Sequence, residues 1–281
     1  PVRACSSNPL LAHNVVLLLA FLTSALGMYA LARHLTRDRF GAVVAGLVFG
    51  FSPFMLSHFV HIQIVSAGGI PLAFLFLHRY FENRRPREAV YFALAASFQA
   101  LANSYYALYL GFFGALSVVV LAIARKRLLD PRFWRDMLVA AGVVLVLAGP
   151  FAYQYVKVGQ DMGFSRNIGA PAGLTSFLAS PPYSRLYGVL SGPFQRPEQH
   201  LFPGAVAFLL AVAGFVCLVS RRRPERLPGL GLDPQGGESL PGDEEMSRSG
   251  FPGALIAALY GGIALLAFLF TFGPNGPYAL L

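Results

Sequence analysis

The charges of this chain fall in clusters between long apolar runs, and no apolar run of spanning length carries an acid or a base at its centre. A charge at the bilayer midplane costs at least ~2.5–3.5 kcal/mol on the insertion scale, and a hydrocarbon core of ~30 Å is crossed by ~20 apolar residues as helix. The pattern therefore predicts an all-α, polytopic transmembrane helix bundle. Within a bilayer every backbone polar group must be satisfied internally, which leaves helices as the solution for runs of this length.

About eight spans are expected. The first runs from Leu10 to Ala32, the second from Phe40 to Leu56, and the third from Phe59 to Leu77, stopping at Arg79. The uncharged stretch from Val90 to Ala124 holds 35 residues, which as one helix would be ~50 Å long at ~1.5 Å per residue. A break at Asn103-Ser104-Tyr105-Tyr106 divides it into the fourth and fifth spans. The sixth runs from Met137 to Tyr155, the seventh from Pro203 to Val219, the eighth from Phe251 to Phe272. This count puts residues 33–39, 79–88, 125–136 and 221–250 on one face with 17 Lys and Arg, and leaves 5 on the other. By the positive-inside rule the basic face is cytoplasmic. Merging the fourth and fifth spans would put Arg84-Arg85-Arg87 and Arg125-Lys126-Arg127 on opposite faces, so the break at Asn103 is a topological inference.

Residues 1–220 are thus expected to form a membrane bundle with an outer loop at 157–202. Residues 221–250, rich in Pro, Gly, Asp and Glu, form a flexible cytoplasmic loop that cannot bury enough apolar surface to offset its ordering entropy. Residues 251–281 supply the last span and an outer stub. The net charge of +9 is explained by positive-inside anchoring and contact with anionic headgroups of the lipid bilayer. Nucleic acid is not an expected partner, because the basic residues are juxtamembrane and spread over four loops. Cys5 and Cys217 fall on opposite sides and make no disulfide framework. There is no P-loop, GxGxxG, CxxC or HExxH motif. Gly46 and Gly50 have the spacing of a close helix contact. The chain opens on Pro1, with its first residues outside, and reads as an internal piece of a longer polytopic protein.

The outer face has a short polar inventory. Its acids are Asp161 and Glu198; its cations include Lys157, Arg166, Arg185 and Arg196. His58, His61 and Gln63 lie in the turn between the second and third spans, Asn103, Tyr105 and Tyr106 in the next outer turn, and His200 just before the seventh span. His58 and His61 are three apart and would share a helix face. They are readable as interfacial polar residues, as holders of a phosphate or sugar, or as metal ligands short of a third partner. The tyrosines are readable as an interfacial aromatic belt or as a sugar-stacking platform. The 157–202 loop is too long for a simple connection. It sets arginines beside the apolar element Phe177-Leu178-Ala179 and its following prolines. Such arginines could hold a lipid-linked phosphate through bidentate charge-assisted bonds, and an inert cap over the bundle is the alternative.

Several segments carry a family resemblance. Asn8-Pro9-Leu10-Leu11-Ala12-His13-Asn14, the Ser24–Arg33 stretch, Phe51-Ser52-Pro53 with His58 and His61-Ile62-Gln63, Ala179-Ser180-Pro181-Pro182 with Arg185-Leu186-Tyr187-Gly188, and Leu201-Phe202-Pro203-Gly204 resemble bacterial multi-spanning membrane glycosyltransferases of the GT-C type. That superfamily includes protein O-mannosyltransferases and lipid A aminoarabinose transferases. The resemblance implies a GT-C-like bundle in the bacterial inner membrane and a lipid-phosphate-linked sugar donor used on the outer face. It places the key acid in the first large outer loop, which here would precede Pro1; there it would activate the acceptor hydroxyl or orient a divalent metal. No cofactor and no metal ligand is assigned within this chain. Donor-phosphate binding is assigned to Arg166, Arg185, His58 and His61, and sugar or acceptor contact to Asn103, Tyr105, Tyr106, Asp161 and Glu198. The alternatives are a transporter or flippase for lipid-linked glycans, against which no Asp, Glu, Lys or Arg relay crosses the membrane, and a membrane assembly protein without chemistry.

Overall fold

The computed structural model describes residues 8–163, 172–194, 200–220 and 253–271. Its long helices are α1 (Pro9–Thr36), α2 (Arg39–Gly50), α5 (Gly69–Asn83), α6 (Pro86–Ala102), α7 (Ser104–Ala124), α8 (Pro131–Asp161), α10 (Ala205–Ser220) and α11 (Gly253–Phe270). Short helices α3 (Pro53–Ser57), α4 (Ile62–Val65) and α9 (Gly188–Ser191) and two 3-10 turns, Leu174–Leu178 and Gly192–Phe194, fill the joints. Among the described residues there is no strand. Each of the eight expected spans contains one long helix. Six are long and apolar enough to cross a membrane when α3 is counted with α2 and α4 with α5. The other two, α6 and α10, are 17 and 16 residues long.

Local chemistry sets the boundaries. Asn8 caps α1, its Oδ1 accepting from the backbone N–H of Leu10 (3.0 Å) and Leu11 (3.2 Å), with Pro9 at the first helical position. Asp38 caps α2 in the same way, and Asp130 caps α8 ahead of Pro131. At one end of the bundle Arg37, Arg84 and Lys126 hold left-handed backbone at φ 59°, 55° and 54°. Arg37 and Arg84 follow the last residues of α1 and α5, and Lys126 follows α7 by two, so each cation faces the negative end of a helix dipole.

The bundle is built as a chain of neighbours: α1 lies against α2 and α5, α5 against α6, and α6 against α7 and α8. The α1–α2 contact is the close one that the Gly46–Gly50 spacing anticipates. A Cβ on Gly46 would lie 2.7 Å from the Ala25 carbonyl oxygen, and one on Gly50 2.7 Å from the Ala25 Cβ. Ala73, Leu77, Tyr80, Phe81, Ala93, Leu121 and Phe133 form the centre of the core. Many large apolar side chains, Leu145, Val146, Phe151 and Leu209 among them, face outward, as expected where the surrounding solvent is lipid.

The three basic loops gather at one end. Arg127 Nη2 donates to the Phe81 carbonyl at 3.1 Å, His34 meets Glu82 at 3.0 Å, and the Tyr80 hydroxyl donates to Asp136 at 3.2 Å. Burial, then the nearby Arg84, holds the Arg127 guanidinium below its ordinary pKa.

Four boundaries differ from those expected. The third span does not stop at Arg79: α5 continues to Asn83 because Arg79 is matched by the fully buried Glu88 of α6 at 3.5 Å. The second and third spans are each broken near the opposite end, at Phe51-Ser52 and at Ser66–Gly68. The sixth extends to Asp161 as a helix of 31 residues, ~46 Å at ~1.5 Å per residue. It carries Lys157 past the apolar run and leaves the loop to begin at Met162. The expected break at Asn103 is present: its backbone is extended (φ −156°, ψ 117°) between α6 and α7. The 221–250 segment lies outside the described residues.

Candidate functional site opposite the basic loops

The end of the bundle opposite the basic loops is organised around a broken stretch of backbone, residues 58–68. Non-helical backbone at membrane depth survives only where its polar groups are satisfied by protein, and four side chains do this. Ser24 Oγ of α1 donates to the Val65 carbonyl (2.9 Å) and accepts from the Ala67 N–H (3.1 Å). Gln99 Nε2 of α6 donates to the Ser66 carbonyl (2.9 Å). Asn103 Nδ2 donates to the Gln63 carbonyl (3.0 Å), and the Tyr106 hydroxyl to the Ile64 carbonyl (3.0 Å). At the same time Asn103 Oδ1 caps α7 by accepting from the N–H of Tyr105 (2.8 Å) and Tyr106 (3.2 Å). The side chains of Asn103 and Tyr106 are thus committed to building the elbow, whereas Tyr105 stands half exposed.

His58 and His61 sit on this elbow. Ser52 caps α3, its Oγ accepting from the Met55 N–H at 3.3 Å, with Pro53 following; α3 therefore ends within two turns and delivers His58 at its exit. His58 Nδ1 lies 2.9 Å from the Phe54 carbonyl oxygen and 2.8 Å from Ser57 Oγ. A carbonyl only accepts, so the contact places a proton on Nδ1. The His58 ring lies 4.5 Å from Phe54 and 6.2 Å from His61, centroid to centroid. His61 Nδ1 is buried with no hydrogen-bond partner among the described residues. His200 is the third imidazole here. Its pKa is held below the ordinary value first by burial and then by repulsion from His58.

The segments 172–194 and 200–204 dock beside this elbow. The Leu174–Leu178 turn and the segment entering α10 are joined by backbone bonds, Leu201 N–H to the Ser176 carbonyl (3.0 Å) and Phe202 N–H to the Ala179 carbonyl (3.1 Å). Phe177 lies against Phe268 of α11 at 5.0 Å and Tyr187 against Phe202 at 4.9 Å. The Tyr183 hydroxyl, its pKa raised by burial, donates to the Leu56 carbonyl at 3.1 Å. Gly188 is buried where a Cβ would come 2.5 Å from the Pro182 carbonyl oxygen, and Gly204 turns the chain into α10 at φ +97°; both positions require glycine. Three separate segments, 179–182, 185–188 and 201–204, are thereby folded into one element. Between this element and α2–α3 lies a cavity of about 480 Å³, lined by Leu47, Phe51, Leu56, Tyr183, Leu186 and Pro203, among others.

Arg185 is exposed between Ser184 and Leu186, both of which line the cavity, and it makes no ion pair among the described residues. Asp161 is exposed at the end of α8 and is not among the residues lining the cavity of about 480 Å³. Arg166 and Glu198 lie outside the described residues. The structure therefore brings His58 beside His61, with His200 within electrostatic reach of His58, and joins Tyr183 to Leu56 just ahead of His58. The sequence assigns no role to Tyr183 or His200; the only local signal for Tyr183 is that it follows Pro181-Pro182 in the long loop. Among the described residues no three His, Cys, Asp or Glu side chains gather as a metal-binding group.

Fold and site together define an integral, multi-pass, all-α membrane protein. Residues 1–232 match the family model described as 6-pyruvoyl-tetrahydropterin synthase related domain; membrane protein. The chain belongs to that family. Neither the curated proteins nor the solved structures yield a match.

Proposed function

We propose that this protein is a glycosyltransferase of the GT-C type whose outer element receives a lipid-phosphate-linked sugar, with the basic end of the bundle in the cytoplasm. The observation that carries the reading is the docked element of residues 172–194 and 200–204, which closes an apolar cavity of about 480 Å³ against α2 and α3, with Arg185 in sequence between the lining residues Ser184 and Leu186. An isoprenoid or acyl tail fits such a lining, and its phosphate needs a cation at the rim. The described cations at this end are Arg185 and Lys157, and Lys157 is on α8, away from the cavity lining. His58 and His200 are further hydrogen-bonding side chains at this end of the bundle, suited to sugar hydroxyls or to a phosphate oxygen. The chemistry of these residues is binding and orientation: Arg185 holds the leaving phosphate, and its planar fork opposes the negative charge that develops there during transfer.

The test is sugar transfer from a synthetic polyprenyl-phosphate sugar by the intact protein in vesicles. A charge-assisted bond in a partly desolvated site contributes ~1.5–3 kcal/mol, so Arg185→Ala should raise the apparent donor constant roughly tenfold or more. Arg185→Lys should recover only part of the loss. Donor binding without any transfer product would favour a carrier for lipid-linked glycans. Unchanged donor kinetics in Arg185→Ala, with normal insertion, would show that Arg185 only reaches for the interface.

A further inference from the structure

The basic end of the molecule offers a second surface for an amphiphile, whatever the chemistry at the outer end and whatever the direction of crossing. Helices α7 and α8 each lie against α6 but barely touch one another. They leave a groove of about 600 Å³ whose walls include Ala96 and Ala100 of α6, Gly111, Gly114 and Val118 of α7, and Val144 of α8. The groove is open space and not a shortfall of packing within a helix pair. A Cβ on Gly111 would meet nothing within 4 Å, and one on Gly114 only the Leu110 Cδ1 at 3.8 Å. Along α7 its lining runs from Ala107 to Val119, about 18 Å of helix rise. That is close to the depth of one leaflet of a ~30 Å hydrocarbon core.

The mouth of the groove lies at the basic end, where Leu128, Phe133 and Trp134 complete the lining. Trp134 is fixed there by its indole N–H, which donates to the Leu128 carbonyl at 2.8 Å. Around it the 125–136 segment carries Arg125, Lys126, Arg127, Arg132 and Arg135 against only Asp130 and Asp136. Some of this charge is already employed: Arg127 is buried on the Phe81 carbonyl, and Arg135 pairs with Asp136 at 2.8 Å. Lys126 and Arg132 are exposed and make no ion pair among the described residues. An apolar slot one leaflet deep that opens beneath uncompensated cations is complementary to a molecule with one anionic head and a tail of one-leaflet length. We propose that this groove holds an acyl chain of an anionic glycerophospholipid, with Lys126 and Arg132 pairing its phosphate beside the Trp134 ring. Basic pockets between membrane helices bind such headgroups by the same combination. The one-leaflet depth favours a phospholipid over a much longer polyprenyl chain.

Trp134 is the only tryptophan in the chain, so its fluorescence reports the mouth of the groove directly. The protein is reconstituted in phosphatidylcholine vesicles containing a low, equal mole fraction of chain-brominated phosphatidylglycerol or chain-brominated phosphatidylcholine. At about 1 kcal/mol for each basic residue near the surface, two free cations should favour the anionic lipid about tenfold or more, seen as stronger quenching at low mole fraction. Lys126→Gln with Arg132→Gln should bring the two lipids to parity while leaving the phosphatidylcholine curve where it was. Gly114→Leu, which fills the groove without touching a charge, should weaken quenching by phosphatidylglycerol with both cations intact. Equal quenching by the two lipids in the unaltered protein, or a preference that survives the double substitution, would overturn the proposal. So would displacement of brominated phosphatidylglycerol by an unbrominated polyprenyl phosphate more effectively than by unbrominated phosphatidylglycerol, which would reassign the groove to the longer lipid.

Discussion

Replacing Asn103 by Ala separates the two roles this residue can have. Its side chain is buried and makes three bonds: it caps α7 through Tyr105 and Tyr106 and donates to the Gln63 carbonyl. Loss of the cap costs ~1 kcal/mol, within a range of ~0.5–2. Stranding the Gln63 carbonyl away from water costs a further ~1–3 kcal/mol. The sum, ~2–4 kcal/mol, is a large part of the ~5–15 kcal/mol that stabilises a typical fold. For a chain of this size it corresponds to a fall in Tm of roughly 4–16 °C. Asn103→Ser keeps a capping oxygen but loses the donor to Gln63, and should fall between the two. The assay is thermal unfolding in detergent, followed by helix signal and by reactivity of cysteines introduced at core positions, with donor binding measured in parallel below the transition. If Asn103→Ala unfolds at the unaltered temperature and loses only donor binding, Asn103 is a sugar contact and the account of the elbow is wrong.

Gly50→Leu should force α2 off α1, because even a Cβ there lies 2.7 Å from the Ala25 Cβ; overpacking of this kind costs ~1–3 kcal/mol or more, read as a lower Tm, whereas Gly142→Leu, with nothing within 4 Å, should leave it unchanged. His58→Gln should move the His200 titration, followed by NMR of labelled imidazoles, up toward its ordinary value, because one cause of the depression is removed and burial remains. The sign for stability follows from proton linkage: between the ordinary histidine pKa and the lowered one, the unfolded chain binds a proton that folded His200 refuses, so stability should decline as pH falls through that window.

Much of this architecture is legible in the amino-acid sequence because bilayer physics acts on it directly. The charge clusters mark the ends of spans, and the division at Asn103 follows from the placement of Arg84-Arg85-Arg87 and Arg125-Lys126-Arg127 on one face, as the structure has them. What is not legible depends on partners distant in the chain. The continuation of α5 past Arg79 depends on Glu88, the turn at 58–68 depends on Ser24, Gln99, Asn103 and Tyr106, and none of these pairings leaves a local pattern. For the same reason Asn103 and Tyr106 read as ligand contacts from their exposed-turn position, whereas in the fold their side chains hold backbone carbonyls. The extension of α8 to Asp161 escapes a reading based on apolar runs, because a helix can leave the bilayer without ending. The glycines are more informative than their spacing alone warrants: Gly46 and Gly50 form a contact, and Gly188 and Gly204 shape the outer element.

The central claim is that the element formed by residues 172–194 and 200–204 receives the lipid-linked donor. A polyprenyl-phosphate sugar carrying a photoreactive group at the first isoprene unit, irradiated with the intact protein in vesicles and mapped by peptide mass spectrometry, tests it most directly. The account predicts labelling of residues lining the cavity of about 480 Å³, on α2–α3 and on the 181–187 segment. It also predicts competition by unlabelled donor and a roughly tenfold weaker apparent affinity in Arg185→Ala. Labelling confined to helices away from that cavity, or labelling of the cavity that neither competing donor nor Arg185→Ala reduces, would contradict it.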